Sequence, residues 1–148
     1  MISLESLLTN PETAFVLKLL ACLIAGVFIG RERERHGKSA GISTHTFVIS
    51  GAMIFTTIAV TINNLAMVGS IVTGIGFLGA GIIMKQNDHK HIGKDTGKVI
   101  NLTTAASIWF SAAIGILIGF SWFMLAGITS LFSVVILEFH ELFGIKKE

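Results

Sequence analysis

Residues 65–84 read L-A-M-V-G-S-I-V-T-G-I-G-F-L-G-A-G-I-I-M, an uncharged run of 20 residues that contains five glycines. Within this run Gly74, Gly76 and Gly79 have the spacing G-x-G-x-x-G, which in a strand–turn–helix unit binds the pyrophosphate of a dinucleotide. The same run is also long enough to cross the ~30 Å hydrocarbon core of a bilayer as a helix. The two interpretations require different surroundings, a soluble βαβ unit or a membrane.

Composition favours the membrane. Of the 148 residues, 52% are hydrophobic and 14% are charged, and the mean hydropathy is +0.78. Soluble domains carry roughly 25% charged residues, so this chain has too few polar side chains to cover a soluble core. The single cysteine, Cys22, excludes an intrachain disulfide.

Apolar segments long enough to span a bilayer recur along the chain. The last apolar tract, residues 102–137, would be ~54 Å long as one helix at ~1.5 Å per residue, so a break near Gly119 and Ser121 is expected to divide it. Asn10 and Pro11 are typical of a helix start before the first segment. We therefore predict an all-α integral membrane protein with five transmembrane helices, over residues 14–29, 46–62, 65–84, 102–119 and 121–137.

Basic residues alternate between the connections. Residues 30–45 contain four, residues 85–101 contain four and the tail contains two, whereas the connections near Asn63 and Gly119 contain none. Because Lys and Arg favour cytoplasmic loops, this pattern predicts an outside N-terminus, a cytoplasmic C-terminus and cytoplasmic loops at 30–45 and 85–101. Lys18 is the exception, and we interpret it as snorkelling to the outer interface, with a buried functional charge as the alternative.

The glycines then have a membrane function, because small residues let transmembrane helices approach closely. On the fourth helix, small or polar residues recur every four positions from Thr103 to Gly119. We predict that this ridge packs against the third helix, with a lipid-facing stripe as the alternative. The predicted packing residues are Gly74, Gly76, Gly79, Gly81, Ser107, Ser111 and Gly115.

Three motifs resemble those of the bacterial MgtC/SapB family. Residues 30–45, G-R-E-R-E-R-H-G-K-S-A-G-I-S-T-H, are similar to its first cytoplasmic segment. Residues 72–83 resemble its glycine-rich helix, and 102–109, L-T-T-A-A-S-I-W, resemble its fourth helix. The chain departs from the family pattern at Arg31, Ser39, Ser43 and Asn101; serine at 43 removes any contact that the usual arginine would make.

The resemblance implies a multi-pass protein of the bacterial cytoplasmic membrane, linked to adaptation to low magnesium or acid and to life inside host cells. It favours a regulatory subunit, which could restrain the ATP synthase, over a transporter of magnesium, another ion or a small solute. Many members continue into a soluble C-terminal domain; this chain stops at Glu148, so none is expected here. Lipid, a second copy (a dimer) and another membrane protein are the expected partners.

Polar residues at the cytoplasmic mouth are the candidate site. Glu32 and Arg33 either lie on a solvated helix that contacts anionic lipid or turn inward to meet Thr44, His45 or the fourth helix. Similarly, Asn101 or Thr103 either caps the fourth helix or lines a polar vestibule. The candidate residues are Glu32, Arg33, Glu34, Lys38, Thr44, His45, Asn101, Thr103 and Thr104.

Other chemistry is less well supported. His89 and His91, flanked by Asp88 and Asp95, carry metal-binding groups, but Lys90 places positive charge between them, so we expect a loop without a metal. We find no catalytic Ser–His–Asp or Cys–His pattern and expect neither an enzyme nor a cofactor. The basic residues lie beside the spans, which the membrane explains without nucleic acid.

Overall fold

The computed structural model describes residues 10–84 and 101–142, and this part of the chain is helical without strands. The all-helical membrane fold is therefore confirmed. Four helices are long and apolar enough to cross a bilayer; in the fifth, the apolar part Phe123–Glu138 is shorter. The helices are α1 (Pro11–Arg35), α2 (Ile42–Thr61), α3 (Ala66–Met84), α4 (Leu102–Gly119) and α5 (Phe123–Leu142).

The start of α1 follows the sequence prediction, whereas its end does not. The Asn10 side chain accepts a hydrogen bond from the Glu12 amide at 2.9 Å, with Pro11 as the first helical residue. The helix then continues to Arg35, six residues beyond the predicted limit, because Arg and Glu are good helix formers. The helix stops before Gly37, which has a left-handed φ of +61°. The Lys38 amide donates a hydrogen bond of 3.0 Å to the Arg33 carbonyl.

The connection between α1 and α2 is consequently much shorter than the predicted loop 30–45. Residues up to 35 belong to α1, and α2 begins at Ile42. The N-cap residue of α2, Gly41, has no side chain that could cap the helix. The Glu34 carboxylate of α1 instead accepts a hydrogen bond of 2.9 Å from the Ile42 amide. A side chain at position 41 would collide with this carboxylate. Glu34 therefore joins the two helices at the turn.

The central helix of the bundle is α4. Of the residues in the apolar segment of α4, 56% are buried against other parts of the protein, compared with 6% in α3. Its small residues allow α2 to approach closely: a Cβ on Gly115 would overlap the Ile49 carbonyl oxygen, and one on Gly119 would overlap Thr56. Burial of these glycines against backbone atoms makes the α2–α4 seam the tightest helix contact of α4 in the described part of the chain.

The predicted docking of α3 on the α4 ridge is wrong in its details. Ser111, Gly115 and Gly119 face α2, and Thr103 is exposed. The contact of α3 with α4 uses Gly79, whose Cβ position lies 3.6 Å from the Ala105 side chain. Three isoleucines of α3 support it by packing on the cluster of buried residues around Ile108; they are Ile71, Ile75 and Ile82.

The remaining predicted packing glycines of α3 lie on its exposed sides. Gly74, Gly76 and Gly81 are exposed, and a Cβ on any of them would meet no atom within 4 Å. The reason is geometric, since the isoleucine face selects which side of α3 meets the bundle and the glycines lie on either side of it. Spacing alone could not distinguish a small residue that faces a helix from one that faces lipid.

Candidate polar site at the arginine end of the bundle

The buried face of α1 continues into its charged last turns. Cys22, Ala25 and Ile29 are core residues, and the same helical spacing places Glu32 and Arg33 on the buried side. Glu32 is 5% exposed and Arg33 is 3% exposed. Of the two alternatives predicted for these residues, the structure shows the inward orientation.

Arg33 connects α1 to the beginning of α4. Its Nη2 donates a hydrogen bond of 2.7 Å to the Thr104 hydroxyl, and Thr104 is 1% exposed. The Arg33 Nε is also buried and has no hydrogen-bond partner among the described residues. One donor of the guanidinium is therefore satisfied by α4, and another is unused within the described part of the chain.

Glu32 is held from its own helix. The His36 Nδ1 lies 2.6 Å from a Glu32 carboxylate oxygen and 2.9 Å from the Glu32 backbone carbonyl. Residues four apart lie on the same face of a helix, so His36 covers the carboxylate from the C-terminal end of α1. Glu32 and Arg33 therefore lie next to each other inside the bundle. Glu32 contacts His36 and Arg33 contacts Thr104.

His45 brings α2 into the same region. The ring is fully buried, and its Nδ1 lies 2.8 Å from the Ser111 hydroxyl of α4. The serine hydroxyls also bond to their own helix: Ser111 donates to the Ser107 carbonyl and Ser107 donates to the Thr104 carbonyl, both at 2.9 Å. A polar track therefore follows α4 from Thr104 to Ser111, and its hydroxyl donors are used inside the helix.

The remaining predicted mouth residues lie around this cluster. Glu34 is exposed and caps α2, Lys38 is half-buried in the turn, and Thr44 is half-buried in the first turn of α2. Asn101 precedes α4 with a left-handed φ of +66°, and its side chain makes no cap hydrogen bond. Thr103 is exposed. Of the two caps predicted for α4, the one by the Asn101 side chain is therefore not formed.

Lys18, for which snorkelling was predicted with a buried functional charge as the alternative, is buried at the opposite end of α4. Its amino group donates to the Gly119 carbonyl at 2.7 Å and lies 3.4 Å from the Thr57 hydroxyl. The side chain is 9% exposed, so the predicted snorkelling is wrong. The cation instead lies at the C-terminal end of α4, where the helix dipole favours positive charge. Its position one turn before Cys22 on the buried face was the signal in the sequence.

The two buried cations of α1 therefore hold both ends of α4. Lys18 and Arg33 are 15 residues apart, as are Gly119 and Thr104, so the two contacts are separated by ~22 Å at ~1.5 Å per residue. Antiparallel helices in register would give these pairings. A separation of ~22 Å is shorter than the ~30 Å hydrocarbon core of a bilayer, so both contacts fit within one membrane span.

Metal ligands do not converge in the part of the chain that is described. Over residues 10–84 and 101–142, no group of three His, Cys, Asp or Glu side chains is arranged to hold an ion. The candidate residues Asp88, His89, His91 and Asp95 lie outside the described residues. The polar cluster consists of one acid, one guanidinium, two imidazoles and three hydroxyls, contributed by Glu32, Arg33, His36, His45, Thr104, Ser107 and Ser111.

Comparison with known proteins identifies the family. The MgtC family profile matches residues 19–144. The chain is 33% identical over 141 residues to "Putative magnesium transporter YhiD" of Escherichia coli K12, covering 86% of this chain and 61% of that protein. It is 38% identical over 112 residues to the protein MgtC of Salmonella typhimurium LT2, covering 74% of this chain and 45% of MgtC.

A cyanobacterial relative, the protein SrpB of Synechococcus elongatus, is 35% identical over 132 residues, which cover 82% of this chain and 71% of SrpB. No solved structure matches the chain. The chain spans about three fifths of YhiD and less than half of MgtC. With the family profile covering most of its length and the helices arranged as a multi-pass membrane protein, this chain belongs to the MgtC family.

Proposed function

We propose that this protein is a regulatory subunit of the bacterial cytoplasmic membrane that acts by contacting another membrane protein. The family resemblance links such a role to magnesium limitation or acid stress, with the ATP synthase as one candidate for the restrained complex. A transporter is the second candidate. The two differ in whether the polar ridge of α4 is packed or forms a water path.

The observation that carries the proposal is the closed α2–α4 seam. Gly115 and Gly119 are packed against atoms of α2, and Ser111 meets a fully buried His45. The hydroxyl hydrogens of Ser107 and Ser111 are directed to carbonyls of α4. A row of small residues arranged in this way supports close helix packing, because atoms of α2 occupy the space beside Gly115 and Gly119.

The exposed side of α3 supports a contact with a partner. Only 6% of this span is buried, and Gly74, Gly76 and Gly81 leave open space beside it. Small residues on a lipid-facing helix permit close approach of another transmembrane helix. We propose that this side of α3 receives a helix of the partner complex or of a second copy in a dimer.

Site-specific photocrosslinking in native membranes tests this contact. A photoreactive residue replacing Phe77, which is 86% exposed on α3, is expected to give a defined adduct with a membrane protein. The same residue replacing Met124, which is 80% exposed on α5, is the matched control. Adducts that form equally from both positions, or from neither, would contradict a contact through α3.

The second candidate rests on a specific observation: the buried Arg33 Nε has no hydrogen-bond partner among residues 10–84 and 101–142. One relative also carries the name "Putative magnesium transporter YhiD". Flux of magnesium and protons through sealed liposomes under an imposed potential separates the candidates. We expect no flux above protein-free liposomes; flux that Ser107→Leu abolishes in a folded variant would favour the transporter.

A further inference from the structure

A groove on the lipid-facing side of the bundle lies between α1 and α5. Its volume is about 370 Å³, and its walls are almost entirely apolar. Ile24 and Phe28 line it from α1, and Gly127 and Leu131 line it from α5. Ile24 is 70% exposed and Phe28 is 49% exposed, so the groove opens toward the hydrocarbon of the membrane.

Two exposed arginines continue the same face of α1. Ile24, Phe28, Arg31 and Arg35 are separated by four, three and four residues, the spacing of one stripe on a helix. Arg33, in contrast, points to the opposite, buried side. Among the described residues, neither Arg31 nor Arg35 makes a hydrogen bond or an ion pair, and both are exposed.

The dimensions of this stripe match one leaflet. The groove residue of α1 farthest from the arginines, Ala21, lies ten residues before Arg31, or ~15 Å along the helix. Half of the ~30 Å hydrocarbon core is the same length. An acyl chain whose headgroup is at Arg31 would therefore end near Ala21. A partner helix is 10–12 Å wide with its side chains. The groove, with a volume of about 370 Å³, would hold roughly one turn of such a helix and therefore fits an acyl chain better.

We propose that this surface binds an anionic phospholipid. The lipid belongs to the leaflet at the arginine end of the bundle, where Arg31, Arg33 and Arg35 lie. The phosphate is bound by Arg31 and Arg35, and one acyl chain lies in the groove between α1 and α5. Arginine suits this contact because its planar guanidinium pairs with phosphate oxygens. The proposal concerns a different surface from the α3 contact of the proposed function and does not depend on it.

Native mass spectrometry of the purified protein with equimolar dioleoyl phosphatidylglycerol and dioleoyl phosphatidylcholine tests the headgroup contact. We expect preferential retention of phosphatidylglycerol. The double change Arg31→Gln and Arg35→Gln should weaken it by about 30-fold, from roughly 1 kcal/mol per basic residue near an anionic surface. Arg31→Lys with Arg35→Lys loses the planar guanidinium but keeps the positive charge that attracts the anionic headgroup, so retention should remain within about threefold. Equal retention of the two lipids, or unchanged retention after neutralisation, would overturn the proposal.

A second pair of variants tests the groove. Gly127→Leu places a side chain in the groove at a position where a Cβ meets no atom within 4 Å, so the fold is expected to tolerate it and lipid retention to fall at least fivefold. Gly69→Leu is equally unobstructed but lies on α3, away from the groove, and should leave retention unchanged. Thermal unfolding in lipid-free detergent verifies that both variants fold. If Gly127→Leu retains phosphatidylglycerol as well as Gly69→Leu does, the groove does not hold the lipid and the proposed site is wrong.

Discussion

Arg33 is the residue on which the arginine end of the bundle depends. A guanidinium buried near the edge of the hydrocarbon core must be hydrogen-bonded, because an unsatisfied charged group in an apolar region is costly. The Thr104 hydroxyl provides that bond from another helix. Two residues that are distant in sequence therefore form one structural unit, and neither is explained by its local neighbours alone.

The neighbouring threonines of α4 provide a matched test of this bond. Thr104→Val removes the acceptor of Arg33 and should lower the free energy of unfolding by about 1–3 kcal/mol, because a buried charged donor loses its partner. Thr103→Val makes the same chemical change at an exposed position and should alter it by less than about 0.5 kcal/mol. Denaturant titration in mixed micelles measures both. Equal effects at the two positions would show that the Arg33 contact contributes nothing.

At the scale of the helix, α4 and α3 use their small residues differently. The small residues of α4 are buried because α2 approaches until backbone atoms meet, whereas three glycines of α3 border open space. In a membrane, where apolar side chains gain little from leaving lipid, such close backbone contact is a principal source of helix association. The same residue type thus supports the fold in one helix and leaves a surface free in the other.

Glycine-to-alanine changes should therefore have opposite signs in the two helices. Gly115→Ala puts a methyl group against the Ile49 carbonyl and should destabilise the protein by about 1–3 kcal/mol through overpacking. Gly76→Ala meets no atom within 4 Å and should stabilise it by up to about 1 kcal/mol through higher helix propensity. Thermal unfolding in detergent measures the pair. A loss at Gly76 as large as that at Gly115 would contradict the placement of α3.

The whole molecule has an orientation that the charge pattern predicts. The connection at Asn64 contains no basic residue, and Ser39 lies in the turn that follows Arg31, Arg33 and Arg35. The positive-inside rule therefore predicts that Asn64 lies outside the cell and Ser39 in the cytoplasm.

Cysteine labelling in intact cells with a membrane-impermeant maleimide tests this orientation. Asn64→Cys should be labelled directly, and Ser39→Cys should be labelled only after permeabilisation. The native Cys22 has no exposed surface, so the unsubstituted chain measures the background. Labelling of Ser39→Cys in intact cells, with protection of Asn64→Cys, would reverse the topology.

The sequence by itself determined the class of this protein, the existence of its five helices and the family to which it belongs. Apolar length, the scarcity of charge and three local motifs are properties of consecutive residues, so they can be read without knowing which helices meet. The limits of the fourth helix, residues 102–119, were also predicted correctly because Asn101 and Ser121 interrupt the helix on either side.

The tertiary structure alone decided which faces meet. The ridge of α4 packs against α2 and not against α3. Lys18 points inward and donates to the Gly119 carbonyl, and Arg33 donates to the Thr104 hydroxyl. Helical periodicity predicts which residues share a face of a helix, but it does not predict which other helix packs against that face. The partner is selected by the close approach of backbones and by the need to satisfy buried cations, and both depend on atoms that are distant in the sequence.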